Sequence, residues 1–482
     1  MSPLWEREAL VAATGGTASG NWSGVTGVSI DTRTVAQDEL FVALKDARDG
    51  HDFVGAALTS GAGAALVSRV PEGVAPDAPL LRVDDPLRAL EALGTAARDR
   101  ASDARIIAVT GSAGKTSTKD ALATILSEQG STHASVKSYN NHWGVPLTLA
   151  RMPGDARFGV FEIGMNHAGE IAPLTRFVRP HIAVITNVLP VHLGNFGAES
   201  GIASAKAEIL EGVAPGGHAV LNRDNPWFDL LATKAAALGL DVVSFGSTAE
   251  ASARLLKHVQ KPDSASVEAD ILGERVLLKL NAAARHQAIN ALAILSAAKL
   301  AGADLARCAL GLGRWKPGDG RGARRAIRLD PIDPASAFLL IDESYNANPA
   351  SVAAALETLS LAQPTRTPTG RAGRRIAVLG DMLELGDAAD RLHRQIADVS
   401  AIGSVDLVFA CGPHCKTLYD ALPKARQGAW MRDSATLAPL VKQEIRAGDA
   451  VMVKGSLGSA MATVVTALES LANANPKGRK SL

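Results

Sequence analysis

The amino-acid sequence predicts an α/β protein of three domains, and three observations support that prediction. Short apolar segments alternate with helical patterns along most of the chain, as in parallel sheets covered by helices. Residues 105–120, RIIAVTGSAGKTSTKD, combine a buried strand, a glycine turn and the start of a helix. The 482 residues exceed what one hydrophobic core usually supports. We therefore predict domains at residues 1–102, 103–319 and 320–482.

Composition indicates a globular protein and excludes several other classes. Hydrophobic residues make up 47% of the sequence and the formal net charge is +1, so nothing indicates binding to nucleic acid. The N-terminal segment MSPLWEREAL lacks the apolar core of a signal peptide. No run of about 18 apolar residues occurs, so no membrane span is expected. A cytoplasmic protein is the simplest interpretation.

The three cysteines, Cys308, Cys411 and Cys415, are too few for a disulfide framework and suit a reducing compartment. Cys411 and Cys415 flank His414, which is the beginning of a metal-ligand pattern. No fourth ligand lies nearby in the sequence, and zinc sites usually need four. We therefore expect core or loop thiols in place of a zinc site.

The first domain is predicted to be a small α/β unit. Strands are expected at residues 25–33, 39–44, 64–68 and 80–83, and a helix of small residues at 54–60. A second helix is expected at 86–100, with Asp85 as its N-cap and proline at its first position. Four polar residues stand at strand ends or in loops, where solvated structure is the more common role: Asp31, Thr32, Arg33 and Lys45.

The second domain begins with the phosphate loop. A strand at 106–109 precedes the small residues Gly111, Ser112, Ala113 and Gly114, and Lys115, Thr116 and Ser117 then open a helical pattern. This order directs backbone N–H groups, a helix N-terminus and a lysine at one point, which favours nucleotide phosphates. Two residues separate the glycines where the commonest form has four. The alternative is a glycine turn beside an accidental lysine.

Polar side chains at strand ends predict a metal site near that loop. Glu162 ends a strand at 158–163, and His192 lies just past a strand at 181–186. Ligands of parallel sheets bind at the carboxyl ends of strands, so these two side chains favour Mg²⁺ ligation beside the phosphates. Lys206 lies on a helix at 204–210 among small residues, where a solvated lysine is the plain interpretation.

The remaining segments complete two sheets. The pattern of residues 240–280 predicts a segment of antiparallel strands. The predicted helix at 281–302 carries His286 and Asn290 on one face. That pair is as consistent with ordinary helix surface as with a functional site. After the glycine- and proline-rich break at 316–320, strands at 337–342, 375–379, 405–410 and 449–454 alternate with helices. That alternation predicts a second, doubly wound parallel sheet.

Together these motifs resemble the Mur ligase family of ATP-dependent amide-forming enzymes of peptidoglycan synthesis. The likeness spans nearly the whole chain, through TGSAGKTS (110–117), Glu162, TNVLPVHLGNFG (186–197), SAKAEI (204–209), the helix with His286 and Asn290, GRGARR (320–325) and DESYNANP (342–349). Within the family, YNNHWGVPLTL (139–149), EIGMNHAGEI (162–171), DESYNANP and VLGDMLELG (378–386) most resemble the members that add D-alanyl-D-alanine.

The resemblance implies a fold and a set of roles. The first domain would bind the UDP-sugar end of the substrate, the central P-loop ATPase-like domain would bind ATP, and the third would be Rossmann-like. Contacts to ATP would come from residues 111–117 (Gly111, Ser112, Ala113, Gly114, Lys115, Thr116, Ser117) with Asn290, Arg321 and Asp342. Thr116, Glu162, His192 and a carbamylated Lys206 would hold Mg²⁺, and the catalytic residues would be Lys115, Glu162, His192 and Lys206. Substrate would meet Asp31, Thr32, Arg33, Lys45, Asn140, Asn141, Tyr345 and Asn346.

The implied reaction joins D-alanyl-D-alanine to a UDP-N-acetylmuramoyl-tripeptide through an acyl phosphate, with ATP and Mg²⁺ as cofactors. The implied partners are small-molecule substrates, and no amphipathic seam calls for a second subunit, so a monomer is expected. Two relatives of the same chemistry remain as alternatives, the ligase that adds the third amino acid and a folate polyglutamylating ligase. A P-loop switch ATPase without ligase activity is the alternative from a different class.

Overall fold

The computed structural model describes residues 3–136, 138–190, 193–333, 335–367 and 370–473. Its strands form three main sheets, one in each predicted segment, which confirms the α/β class and the three-domain architecture. The domain limits at residues 102 and 319 remain predictions. Among the described residues, no helix is both long and apolar enough to cross a membrane.

The first domain contains a five-stranded sheet of order β2-β7-β6-β5-β4, in which only β2 is antiparallel, and a two-stranded ribbon of β1 and β3. The elements are β1 (Trp5–Glu6), α1 (Arg7–Thr14), β2 (Thr17–Ser19), β3 (Gly24–Val25), β4 (Gly27–Ser29), β5 (Glu39–Val42), α2 (Val54–Thr59), β6 (Ala64–Val67), β7 (Leu80–Arg82) and α3 (Pro86–Arg100). The predicted strand at 25–33 is therefore two short strands. Asp85 caps α3 as predicted, because its Oδ1 accepts the N–H groups of Leu87 and Arg88.

The second domain is built on a nine-stranded sheet of order β16-β15-β14-β13-β12-β11-β8-β10-β9. Its strands are β8 (Arg105–Thr110), β9 (Thr132–Ala134), β10 (Phe158–Glu162), β11 (Ile182–Ile185), β12 (His218–Asn222), β13 (Asp241–Gly246), β14 (Ala253–Gln260), β15 (Ala265–Ile271) and β16 (Glu274–Leu280). The antiparallel strands predicted for residues 240–280 are confirmed for β14 to β16. In contrast, β13 pairs parallel with both of its neighbours.

Helices cover both faces of that sheet. They are α4 (Lys115–Ser127), α5 (Gly144–Ala150), α6 (Ile171–Val178), α7 (Leu193–Phe196), α8 (Glu199–Ala207), α9 (Phe228–Ala237), α10 (Arg285–Leu300) and α11 (Leu305–Arg314). One buried cluster joins α4, α10 and α11 to one face of the sheet, and a second joins α5, α6, α8 and α9 to the other. The helix that carries Lys206 begins at Glu199, earlier than predicted, and continues into a 3-10 turn at Glu208–Gly212.

The third domain has a six-stranded sheet of order β17-β18-β22-β19-β20-β21, parallel except for β17. Its elements are β17 (Ala323–Arg328), β18 (Ala337–Glu343), α12 (Pro349–Leu361), β19 (Arg375–Gly380), α13 (Ala389–Ile396), β20 (Leu407–Cys411), α14 (Cys415–Ala421), β21 (Gln427–Met431), α15 (Ser434–Glu444), β22 (Ala450–Lys454) and α16 (Ala462–Glu469). Separate buried clusters lie on its two faces, as expected for a doubly wound sheet.

Strand register sets which loops meet at the carboxyl edge of each sheet. In the central sheet β8 lies between β10 and β11, and Glu162 pairs with Val109, just before the phosphate loop. In the third sheet Glu343 at the end of β18 pairs with Lys454 at the end of β22. Residues that are far apart in sequence are thus neighbours in space, at the carboxyl ends of parallel strands where ligands bind.

Candidate active site

Steric crowding explains the two glycines of the phosphate loop. Gly111 has φ +148° and Gly114 has φ +81°, which L side chains rarely adopt. A Cβ atom on Gly111 would lie 1.9 Å from the Thr186 hydroxyl, and one on Gly114 would lie 2.9 Å from Nδ2 of Asn290. Both positions therefore need glycine, although the spacing between them is shorter than in the commonest phosphate loop.

The start of α4 directs N–H groups without an intrahelical partner towards the space beside the loop. Gly114 is the N-cap, and the N–H groups of the cap and the first three helical residues have no partner within a helix. The first intrahelical bond runs from the Thr118 N–H to the Gly114 carbonyl at 2.9 Å. Residues Gly114, Lys115, Thr116 and Ser117 all line one cavity. This arrangement attracts anions through hydrogen bonds and through the helix dipole.

Lys115 is held across the phosphate loop. Its Nζ donates to the Gly111 carbonyl at 2.7 Å. The surrounding protein desolvates the amine and lowers its pKa; the charge of Glu162 opposes this shift, and the charge of Arg321 adds to it. A phosphate group in the cavity would act in the same direction as Glu162 and favour the ammonium form.

Glu162 is almost fully buried, with 1% of its surface exposed, at the carboxyl end of β10. Thr116 Oγ1 donates to its Oε2 at 2.6 Å, and Asn140 Nδ2 donates to its Oε1 at 2.7 Å. Among the described residues these hydrogen-bond partners are neutral. A buried carboxylate beside a hydroxyl offers oxygen ligands of the kind that a divalent cation such as Mg²⁺ prefers.

Lys206 and His192 complete the predicted metal set. Lys206 lies on α8 with 2% of its surface exposed, which excludes the interpretation as a solvated lysine. Burial, and secondarily the charge of Lys115, lower the pKa of its amine well below the usual value. Lys206 is not among the cavity-lining residues. His192 lies outside the described residues, one position before α7.

A cavity of about 670 Å³ lies between the central and third domains. Twelve of the predicted site residues that the structure describes line it: Ser112, Ala113, Gly114, Lys115, Thr116, Ser117, Asn140, Glu162, Asn290, Arg321, Tyr345 and Asn346. Its volume lies in the range of small-molecule sites, and its walls carry both charges and apolar surface. The structure thus brings together the phosphate loop, Glu162 and the start of the third domain.

Tyr345 connects the two walls of the cavity. Its ring lies under the Arg321 guanidinium, 3.9 Å from the ring centroid, and its hydroxyl contacts the Ser138 hydroxyl of the central domain. Lys454 Nζ donates to the Asn346 carbonyl at 2.9 Å and lies 3.4 Å from a Glu343 carboxylate oxygen. The third domain therefore contributes both a cation and an anion to the cavity wall.

Two predicted contact residues, Asp342 and Asn141, form hydrogen bonds with other groups of the protein. Asp342 is 3% exposed, and it accepts hydrogen bonds from the Gly320 N–H (2.9 Å) and from the Ser344 hydroxyl (2.6 Å). Asn141 Oδ1 accepts the Gly144 N–H at 2.9 Å at the start of α5. Neither is among the cavity-lining residues, and neither is Gly111, so their roles as direct contacts remain predictions.

The predicted substrate residues of the first domain lie elsewhere. Asp31 and Arg33 form an ion pair at 2.6 Å, and the Arg33 side chain is 83% exposed. Thr32 is half-buried and Lys45 is exposed beside the bridge that it makes with Asp49. None of the four lines the cavity between the other two domains.

Several cavity residues were not assigned a role from the sequence. They are chiefly polar residues after β11 and β12 and on α10 and the third domain: Asn187, Asn222, Asp224, Asn225, His286, Glu343, Asn348 and Lys454. Asn187 fixes the phosphate loop, because its Oδ1 accepts the Ala113 N–H at 2.9 Å. The sequence does show polar residues at the ends of successive strands. It does not show which of these residues face the same cavity.

The residues around Cys411 and Cys415 do not form the cysteine–histidine group that their spacing in the sequence suggests. His414 pairs with Asp390 at 2.7 Å, whereas Cys415 lies with Asp381 and His393 in a buried group whose ligand atoms are within 4.8 Å of one another. Two of these residues already accept hydrogen bonds: the Met382 N–H donates to His393 Nε2, and the Cys415 N–H donates to Asp381. The hydrogen bonds tie this group to the backbone at Met382 and Cys415. All three cysteines are buried free thiols, as expected.

Comparison with known proteins decides the family. Residues 109–298 match the Mur ligase middle domain, and residues 328–457 match the domain described as Mur ligase, glutamate ligase domain. The UDP-N-acetylmuramoyl-tripeptide–D-alanyl-D-alanine ligase of Escherichia coli (strain K12) is 34% identical over 446 residues, covering 92% of this chain and 93% of that protein. The chain belongs to the Mur ligase family. This result confirms the resemblance drawn from the motifs.

Solved structures of Mur ligases have the same fold. A crystal structure of MurF from Acinetobacter baumannii has a TM-score of 0.81 at 28% identity and covers 97% of this chain and 99% of its own. MurF ligase from Thermotoga maritima in complex with ADP has a TM-score of 0.74 at 24% identity, covering 93% and 98%. The likeness extends through all three domains.

Proposed function

We propose that this chain is the ATP-dependent ligase that adds D-alanyl-D-alanine to a UDP-N-acetylmuramoyl-tripeptide. The observation that carries the proposal is the convergence of the phosphate loop, Glu162 and the third-domain wall on one cavity, in a chain whose relatives over 92% of its length bear that name. The ligase that adds the third amino acid and the folate polyglutamylating ligase are less favoured for the same reason.

The proposed reaction begins with activation of a carboxylate, which is a poor electrophile because its leaving group would be oxide. Transfer of the ATP γ-phosphoryl group to the terminal carboxylate of the tripeptide gives an acyl phosphate and ADP. The amine of the dipeptide then attacks the acyl carbon, and the tetrahedral intermediate expels phosphate and loses a proton. The product is the UDP-muramoyl-pentapeptide.

The residues of the phosphate loop would bind and orient ATP. The free N–H groups at the start of α4 would donate to phosphate oxygens, and Lys115 would leave the Gly111 carbonyl to meet the negative charge that develops during transfer. Removal of one such donor from the transition state costs on the order of 3 kcal/mol, about a hundredfold in rate. Asn290 and Arg321 lie on the cavity wall and are proposed to contact the nucleotide.

Thr116, Glu162, His192 and a modified Lys206 would hold Mg²⁺. When bound, the ion would neutralise phosphate charge and steady the leaving group. Thr116 and Asn140 already orient the Glu162 carboxylate. Lys206 fits the role as a carbamate: burial favours its neutral amine, the form that adds to CO₂, and the addition releases a proton and leaves an anion.

Residues of all three domains are proposed to bind the substrates. Asp31, Thr32, Arg33 and Lys45 are proposed to contact the UDP-sugar. Asn140, Asn141, Tyr345 and Asn346 are proposed to line the place where tripeptide and dipeptide meet. Because the third domain supplies one wall of the cavity, its closure against the central domain would complete the site.

We also propose a cytoplasmic monomer. The buried free thiols and the use of ATP and a nucleotide sugar agree with a reducing compartment that supplies both. The proposed partners are the small-molecule substrates.

The test is a phosphate-release assay with Mg²⁺, ATP and UDP-muramoyl-tripeptide. We expect release when D-alanyl-D-alanine is added and little release with single amino acids. Release that depends on a single amino acid would favour one of the two related ligases. Release that needs neither acceptor would favour an ATPase without ligase activity.

A further inference from the structure

The phosphate-loop helix carries a buried lysine that the proposed reaction does not use. Lys119 lies on α4, three residues after Thr116, and only 2% of its surface is exposed. It is not among the described residues that line the cavity. Burying an ammonium group is unfavourable unless other groups pair with it, so its contacts indicate what it does.

Lys119 reaches from the helix to the edge of the central sheet. Its Nζ donates to the Ser135 carbonyl at 2.8 Å and contacts the carboxylate of the partly exposed Asp120. Ser135 is 2% exposed and is the first residue after β9, the edge strand of the sheet. A buried carbonyl at a sheet edge needs a donor, and a long lysine side chain provides one from the neighbouring helix.

Ser135 in turn contacts the end of β10. Its N–H donates to the Val160 carbonyl at 3.1 Å, and its Oγ accepts the N–H of Glu162 at 3.2 Å. The backbone of Glu162 is therefore held by the same residue that Lys119 holds. The chain that continues from Ser135 carries Asn140, whose amide binds the Glu162 carboxylate.

These contacts form a closed ring that begins and ends on α4. Thr116 binds Glu162 through its hydroxyl, Glu162 binds Ser135, and Ser135 binds Lys119. Residues three apart on a helix share a face, so the helix itself closes the ring. Without the Lys119 ammonium group, Ser135 and the segment that carries Asn140 would no longer be attached to the phosphate-loop helix through this hydrogen bond.

We propose that Lys119 is a positioning residue that fixes Ser135 against α4 and thereby sets the orientation of Glu162 and Asn140. In the part of the chain that the structure describes, Lys119 does not line the cavity. The proposal rests on the proposed function in one respect only, because the role of Glu162 in holding a divalent cation belongs to that function.

The test compares three substitutions with the wild-type protein. Lys119→Met removes the charged donor and keeps the length of the side chain, Lys119→Arg keeps a charged donor, and Ser135→Ala removes the hydroxyl that accepts the Glu162 N–H. Thr124→Ala is the matched control, because Thr124 lies on the exposed side of the same helix. Steady-state kinetics give kcat and KM for ATP. Electron paramagnetic resonance gives the affinity for Mn²⁺ in the presence of ADP, without turnover.

We expect Lys119→Met to lower kcat about 10- to 100-fold, since small misplacements of a catalytic group have effects of that size. Its KM for ATP should change less than about threefold, because the phosphate loop is untouched, and its Mn²⁺ affinity should fall about tenfold. Lys119→Arg should recover most of both losses. Ser135→Ala should show smaller losses in the same two quantities.

Wild-type kcat and Mn²⁺ affinity in Lys119→Met would overturn the proposal. If Lys119→Met fails to fold, Ser135→Ala decides, and wild-type values in that variant would overturn it equally. If the wild-type protein releases no phosphate under any condition, the proposed function fails, and the Mn²⁺ measurement still tests the positioning role.

Discussion

At the scale of single residues, the account depends on a few side chains whose surroundings leave them little freedom. Gly111 and Gly114 cannot carry a Cβ atom without collision, and Glu162 is fixed by hydrogen bonds to both of its oxygens. The motif of residues 111–117 predicted the loop with Lys115 and Thr116, and a position at a strand end predicted Glu162; all three line the cavity, and their roles remain predictions. The supporting contacts of Asn187, Ser135 and Lys119 have no motif of their own, because they depend on how separate strands line up.

Lys115→Ala should lower turnover by at least about a hundredfold, since the amine lies directly against the phosphate loop and removal of one such donor has an effect of that size. Dipeptide-dependent phosphate release measures the decrease, and thermal unfolding checks that the fold survives. Lys257→Ala, which changes an exposed lysine of β14, is the control. Turnover like that of the wild type would remove the phosphate loop from the reaction.

Lys206→Ala should be inactive, because it removes the group that we expect to carry the carbamate. Short-chain carboxylates such as acetate should restore part of the activity, since they can place an anion in the space that the side chain leaves. The rate of phosphate release with increasing acetate measures the rescue, and Lys115→Ala, which should not respond, is the control. Full activity without any carboxylate would exclude Lys206 from the metal site.

At the scale of elements, a capping side chain predicts a helix start only when other signals accompany it. Asp85 before α3 was identified from an aspartate followed by proline. A capping aspartate also precedes α15, where Asp433 Oδ1 accepts the Thr436 N–H at 2.8 Å, but no proline directly follows it and that helix was not predicted. Short edge strands such as β2 and β9 carry too few residues for a periodic pattern, and they form because neighbouring strands offer hydrogen bonds.

Asp433 also makes the stability of α15 depend on pH. Hydrogen bonds from Thr436, first from its N–H and then from its hydroxyl, lower the pKa of the Asp433 carboxyl below its usual value. A carboxylate with a depressed pKa in the folded state stabilises the fold above the pKa of the unfolded chain, about 3.9, and this effect disappears as the pH falls through the folded value.

Asp433→Ala should therefore reduce the free energy of unfolding near pH 6 more than near pH 3, the approximate range over which that linkage acts. Urea unfolding at a series of pH values measures the difference from the wild type. Arg432→Ala, at an exposed neighbour outside the cap, is the control. A difference that stays constant over the whole range would contradict the assigned pKa shift.

At the scale of the whole molecule, the candidate site exists because the parallel strands of two sheets present their carboxyl ends to a common cavity. The sequence predicted both sheets and many of the lining residues. Strand ends can be recognised from sequence patterns, and ligands of parallel sheets bind at the carboxyl ends of strands. It could not predict that Tyr345 meets Ser138, or that Lys454 and Glu343 share the opposite wall, because these contacts depend on how strands and domains are placed against one another. The first domain contacts the central one separately, with Trp5 Nε1 donating to the Ala150 carbonyl at 2.8 Å.

The most direct test of the central claim, that the phosphate loop delivers a phosphoryl group to a peptide carboxylate, follows an oxygen atom. The terminal carboxylate of UDP-muramoyl-tripeptide is labelled with ¹⁸O, and the phosphate released on addition of D-alanyl-D-alanine is analysed by mass spectrometry. We expect one labelled oxygen in the released phosphate, because it passes through the acyl phosphate. Unlabelled phosphate, with the label retained in the peptide or released into water, would contradict the account.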